Sequence, residues 1–167
     1  MEKGMPFAGE VTLADPEGKD GAVYELSRGG EVKFARRADE RVAVPLSYDT
    51  NDGRLFLFLS RKIASVEADI AQAGDALNVT MTVLDASGAP VPALLPVEIR
   101  VYDAAGRELD GAGYTCAKDG VCKLSVRANL NDAPGEYRIV CRDRASGLSC
   151  EKSARLTAEA DRAIISP

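Results

Sequence analysis

Leu77, Val79, Met81 and Val83 alternate with Asn78, Thr80 and Thr82, and Val97, Ile99 and Val101 alternate with Glu98, Arg100 and Tyr102. A two-residue period places successive side chains on opposite faces of an extended chain, one set on a core and the other in water. The same period returns after Gly120 and after Gly135, so the stretch from Gly74 to Thr157 reads as consecutive β-strands. It predicts strands near residues 66–70, 77–84, 97–102, 114–117, 121–127, 136–143 and 148–157. Asp85-Ala86-Ser87-Gly88 and Asp103-Ala104-Ala105-Gly106 turn the chain, and Pro90, Pro92 and Pro96 make a loop or an edge, because proline cannot donate to a sheet ladder. Lys118-Asp119-Gly120 and Arg144-Ala145-Ser146-Gly147 each predict a hairpin tip. Seven strands in about a hundred residues is the density of an immunoglobulin-like sandwich.

The first sixty-odd residues carry a weaker pattern. Pro6, Gly9, Pro16, Gly18 and Gly21 make residues 1–22 an irregular lead-in with one short strand at 10–13. Strands are expected at 23–26, at 32–35 after Gly29-Gly30, and at 42–46. Asp52-Gly53 then introduces 54–60, whose near-continuous apolar run predicts a strand covered on both faces. A domain of this size buries only about 60% of its unfolded surface, so it should lean on a neighbour, with Phe56 and Phe58 as the expected interface aromatics. The expected organisation is all-β: a small antiparallel β-domain over residues 1–62, then a seven-stranded sandwich over 63–167. The junction is expected between Ser60 and Val66, too short to let the two tumble separately.

Composition narrows the function classes. The chain of 167 residues is 46% hydrophobic and 28% charged, ordinary for a globular protein. Its longest strongly apolar run, Leu55–Leu59, is far short of the ~20 residues a bilayer demands, so no membrane insertion is expected. A net charge of -5 argues against nucleic acid as a partner, and Arg36-Arg37 and Arg61-Lys62 read as solvated strand ends. Histidine is absent, which removes the commonest general base and the commonest zinc ligand. Asp49-Thr50-Asn51-Asp52-Gly53 lacks the glycine and glutamate register of a calcium loop, and Glu67 with Asp69 would both point outward from one strand. No catalytic, metal or cofactor site is expected, and the chain reads as non-enzymatic in itself.

Four cysteines point to an oxidising compartment: secreted, periplasmic or cell-surface. The N-terminus lacks the features of a signal peptide, which is consistent with an excerpt from a longer secreted chain. Ordinary hairpin registers would set Cys116 opposite Cys122 and Cys141 opposite Cys150 as disulfide candidates. An interlinked pairing, free buried thiols and a metal site stay open as alternatives.

Asp132-Ala133-Pro134-Gly135-Glu136-Tyr137 resembles the entry to the sixth strand of immunoglobulin-like folds. Antibody-type domains place cysteine two residues after that tyrosine. Here Ile139 stands there, Cys141 follows, and the chain has no tryptophan. Gly74-Asp75-x-Leu77-x-Val79, Val83-Leu84-Asp85-x-x-Gly88-x-Pro90-Val91 and Pro96-Val97-x-Ile99-x-Val101-Tyr102-Asp103-x-x-Gly106-Arg107 resemble the macroglobulin-like or fibronectin-like sandwiches of large bacterial surface and secreted proteins. Val23-Tyr24-Glu25-Leu26 and Asp52-Gly53-Arg54-Leu55-Phe56-Leu57 resemble the small all-β domain that follows the barrel in many glycoside hydrolases. The order of the two implies a C-terminal accessory region of a large carbohydrate-active bacterial protein, acting as spacer and docking surface. Its partners would be other domains of the same chain, with carbohydrate as a second class. A carbohydrate-binding module and an adhesion or macroglobulin-like structural segment are the alternatives, and Tyr48 and Tyr102 are the aromatics expected to be free for a ligand.

Overall fold

The computed structural model describes residues 7–14, 21–39, 41–48, 53–74, 76–129 and 132–156, and among them there is strand and turn but no helix. The second half folds as two packed sheets. One holds β7 (Ile63–Ala73), β8 (Ala76–Asp85) and β11 (Val121–Arg127) in the order β11-β8-β7. The other holds β9 (Leu95–Tyr102), β10 (Gly113–Ala117), β12 (Gly135–Asp143) and β13 (Ser149–Leu156) in the order β10-β9-β12-β13. All pairings are antiparallel. Leu77, Val79, Met81 and Val83 of β8 share a core with Val97, Ile99 and Val101 of β9 and with Tyr137, Ile139 and Cys141 of β12. Each large apolar side chain among them contributes on the order of 1.5–3 kcal/mol by leaving water, which makes this core the main source of the fold's stability.

Three aspartates close the strands. Asp85, at the end of β8, accepts from the Ser87 and Ala89 N–H groups. Asp103, after β9, accepts from Ala105, Arg107 and, across the corner, Ala133. Asp143, at the end of β12, accepts from the Ser146 N–H. All three are buried, so each carboxylate replaces the water its turn would otherwise need.

One expected hairpin is not a hairpin. Lys118-Asp119-Gly120 is a tight turn, closed by a bridge from Lys118 to Val121, but β10 belongs to the sheet of β9 and β11 to the sheet of β8. The turn therefore carries the chain from one sheet to the other. It is clamped at the sandwich end, where the Gly120 carbonyl accepts from the Val83 N–H and a Cβ on Gly120 would lie 2.8 Å from the backbone of Val91. With φ at 74° as well, only glycine fits. The fourth strand thus sits beside the third, not on the first sheet as in antibody constant domains.

The first unit is two three-stranded sheets. β1 (Phe7–Ala14), β4 (Ala35–Arg36) and β5 (Arg41–Tyr48) form one, in the order β1-β5-β4. β2 (Ala22–Glu25), β3 (Glu31–Val32) and β6 (Phe56–Leu59) form the other, in the order β3-β2-β6. The single strand expected at 32–35 is therefore two short ones in different sheets, and the strand in the lead-in is longer than its pattern suggested. Residues 49–52, four of the five in the calcium-like stretch, and residues 157–167 lie outside the described residues.

Alternation along β2 and β6 decides how the two halves join. Val23, Phe56 and Phe58 face Val44 and Leu46 in a small core of the first unit. Ala22, Tyr24 and Leu59, on the opposite face, belong to the core of the sandwich, and the half-buried Leu57 packs against it. The sheet β3-β2-β6 is thus covered on both sides, although β6 is an edge strand and mostly half-buried. Phe56 and Phe58 do not form the junction; Tyr24, Leu57 and Leu59 do. The Tyr24 hydroxyl accepts from the Ile63 N–H at 2.9 Å, the Gly30 N–H donates to the Ala145 carbonyl at 2.8 Å, and Lys62 pairs with Glu31 at 2.6 Å. Behind them, Arg54 spans Glu25 at 3.0 Å and the Ser47 carbonyl at 2.6 Å, tying the two sheets of the first unit together.

Candidate functional site

The outward phase of the four-stranded sheet carries an unusual set of side chains. β9 turns Glu98, Arg100 and Tyr102 outward, β12 turns Arg138, Val140 and Arg142, and β10 turns Tyr114; Arg144 rises from the β12–β13 turn. Register places Arg142 opposite Glu98, Val140 opposite Arg100, and Arg138 opposite Tyr102. These residues line an open trough of about 490 Å³. A second hollow of about 330 Å³ shares Arg142 and Arg144 with it and continues to Arg28 and Gly30 of the first unit.

Glu98 organises the trough. It is buried beneath it and binds Arg100 Nε at 2.6 Å and Arg144 Nη1 at 3.3 Å. Burial pushes its carboxyl up, but the Arg100 hydrogen bond and the charges of Arg100, Arg144 and Arg142 outweigh that and hold it below the usual carboxylate range. The same bond, with help from Tyr102 and Glu108, raises the Arg100 guanidinium above its ordinary value. Arg138 lies 4.3 Å from the Tyr102 ring centre and pairs with Glu151 at 3.3 Å. Arg144 lies 5.6 Å from the Tyr114 ring. Both tyrosines thereby orient a guanidinium by cation–π attraction. Arg142 makes no ion pair among the described residues.

Of the aromatics expected to be free, Tyr102 is in the trough but half-buried, and Arg138 covers its ring. Tyr48 ends β5, and its side chain lies outside the described residues. Among the described residues the most exposed aromatic is Tyr114, at 71% with Arg144 near its ring, and its position in the sequence does not single it out. The usable signal was the outward phase itself: among Glu98, Arg100, Tyr102, Arg138, Val140 and Arg142 only Val140 is aliphatic.

The four cysteines fall into two situations. Cys141 and Cys150 stand directly opposite on β12 and β13, in the register their turn predicts, and share a hydrogen bond. Burial pushes the Cys141 thiol up to about 12, with Cys150 and Cys122 adding to the rise. Cys116 and Cys122 are not cross-strand partners, because β10 and β11 lie in different sheets. Cys116 is exposed, opposite Pro96, whereas Cys122 is buried, opposite Met81, its thiol raised by burial despite a hydrogen bond with Thr115. Among the described residues no three His, Cys, Asp or Glu gather into a set that could hold a metal ion. Glu67 and Asp69 are both exposed on β7.

No protein-family model and no curated protein matches the chain. Among solved structures, it is similar to the Yersinia pseudotuberculosis adhesin InvE, at 12% identity and a TM-score of 0.45, over 91% of this chain and 55% of that one. It is also similar to Ruminococcus gnavus β-glucuronidase, at 12% identity and a TM-score of 0.35, over 90% of this chain and 34% of that one. The chain thus spans about half the length of the adhesin structure and about a third of the glucuronidase.

Proposed function

We propose that this chain is a non-catalytic accessory region of a larger secreted, carbohydrate-active protein, in which it holds a neighbouring domain at fixed distance and orientation. The observation that carries this reading is the junction. Tyr24 and Leu59 of the first unit are part of the sandwich core, Leu57 packs against it, and the Tyr24–Ile63 and Gly30–Ala145 hydrogen bonds fix the angle between the two halves. A spacer that shares a core across its joint transmits position, whereas beads on a flexible linker do not. The buried acids among the described residues support the same reading: Asp85, Asp103 and Asp143 are committed to turns, Glu98 to two arginines and Glu25 to Arg54. The kind of parent protein is supported by the motif resemblance of the two units in their order.

NMR relaxation tests the reading. One rotational correlation time is expected for amides of β2 and of β12, with no hydrolysis of a panel of aryl glycosides. Two distinct correlation times would overturn the spacer, and turnover of a glycoside would overturn the non-catalytic assignment.

A further inference from the structure

We propose that the trough on the outer face of β10-β9-β12-β13 binds an anionic oligosaccharide, with uronate carboxylates or sulfate esters received by Arg138, Arg142 and Arg144 and a sugar ring laid on Tyr114. This goes beyond the spacer role, which rests on the junction and stands whether or not the trough binds anything.

Charge is the first argument. The chain as a whole carries a net charge of -5, yet the trough is lined by four arginines against two glutamates. Glu98 is consumed in positioning Arg100 and Arg144 from below, Glu151 pairs with Arg138 and Glu108 with Arg100 at the rim, and Arg142 is the guanidinium with no ion pair among the described residues. Local positive charge on an acidic protein sets that face apart, and guanidinium forks match carboxylate and sulfate oxygens in pairs.

Spacing is the second. Arg138 and Arg142 are four residues apart on β12, about 13 Å along the strand, and Arg100 on the adjacent strand lies opposite Val140 between them. Cations spread over that length suit an oligomer with repeated anions better than a single small anion. The hollow continuing past Arg142 and Arg144 toward Arg28 extends the path onto the first unit.

The third argument separates sugar from polypeptide. A protein or peptide interface is organised around a desolvated apolar centre, and this trough offers one aliphatic side chain, Val140. What it offers instead is polar hydrogen-bonding groups and the ring of Tyr114, 71% exposed with Arg144 5.6 Å from its centre. An aromatic face among hydrogen-bonding groups is the chemistry that receives a pyranose ring.

Titration calorimetry at low salt with the whole chain tests this, using a galacturonate hexamer, its methyl ester, a sulfated hexasaccharide, poly-glutamate and a single-stranded oligonucleotide. The galacturonate hexamer, the sulfated hexasaccharide or both should bind, and the pair tells which anion is preferred; the uncharged ester should bind at least tenfold more weakly. Arg138→Ala with Arg142→Ala should cost tenfold or more, Arg138→Lys with Arg142→Lys less. Tyr114→Ala should weaken oligosaccharide binding severalfold. All these side chains are at the surface, so unchanged melting will show that the variants fold. Binding of neither charged sugar, equal binding of the methyl ester, equal or tighter binding of poly-glutamate or the oligonucleotide, or insensitivity to the double arginine change would each overturn the assignment.

Discussion

The sandwich buries rows of side chains between its own two sheets, whereas among the described residues the first unit gathers a small cluster of Val23, Val44 and Leu46, with Val32, Phe34, Phe56 and Phe58 half-buried around it. The difference is one of source. β8 and β9 find their partners within the sandwich, while β2 is buried on both faces only because one of them rests on that sandwich. The first unit's stability is therefore largely borrowed across the junction, and the sandwich's is its own.

The largest effect should come from breaking that dependence. Tyr24→Ala removes a buried ring and the hydroxyl that receives the Ile63 N–H, which should cost about 3–5 kcal/mol. Hydrogen exchange should show β1 to β6 losing protection while β8, β9 and β12 keep theirs; uniform loss across both halves would mean the halves are a single cooperative unit. Phe56→Ser with Phe58→Ser strikes the small core alone and should cost roughly 3 kcal/mol, given two half-buried rings. Its signature is a separate early melting transition for the first unit, and a single transition at the parent temperature would contradict the packing described.

Acid should discriminate in the opposite direction. Asp85 is held at about 2, chiefly by the Ser87 hydroxyl and then, against burial, by Arg61 and backbone N–H groups. Asp103 is also held at about 2, chiefly by the Ala133 N–H and then, against burial, by Arg107. Unfolded aspartates titrate near ~3.9, so between roughly pH 4 and pH 2 the unfolded chain binds more protons. The stability these two groups confer is thus fully present above about pH 4 and lost as pH falls through about 2. Urea midpoints of the sandwich should drop over that window, and Asp85→Asn with Asp103→Asn should flatten the drop; an unchanged slope would remove these carboxylates from the account.

The smallest effect concerns thiols. Cys116 should react with an aromatic disulfide reagent at once, and Cys122 only on unfolding, because one is exposed and the other buried. With oxidised glutathione as the acceptor of the two thiol hydrogens, Cys141 and Cys150 should link, since directly opposed strand residues fall inside the Cα spacing a disulfide needs. Peptide mapping that found Cys116 joined to Cys122 would contradict the sheet order.

Much of the sandwich was legible from its alternation. The boundaries of β8, β9, β11 and β12 follow from residues whose phase of burial is nearly unbroken, and the four-residue turn at 144–147 fixed the Cys141–Cys150 register. What alternation cannot report is which strand lies next door. Lys118-Asp119-Gly120 has the turn chemistry of a hairpin, and only its clamp against Val83 and Val91 reveals that it crosses between sheets. The trough was hidden for the same reason. Arg100, Arg138 and Tyr114 each look like an ordinary solvated position, and they meet only through the pairing of β9 with β10 and β12.

The junction also sets how the molecule would respond to tension. β7 begins at Ile63, beside Tyr24, and β13 begins just beyond the turn whose Ala145 touches Gly30, so both strands run away from the first unit. A pull between the first unit and Leu156 is directed along β13, and it would slide that strand past β12. All eight cross-strand pairs from Arg142–Ser149 to Gly135–Leu156 would then be strained together. A ladder loaded in shear yields only when many hydrogen bonds fail at once, while one peeled from its end gives way bond by bond. The geometry that joins the two halves therefore makes the sandwich a mechanical clamp along the line it spans.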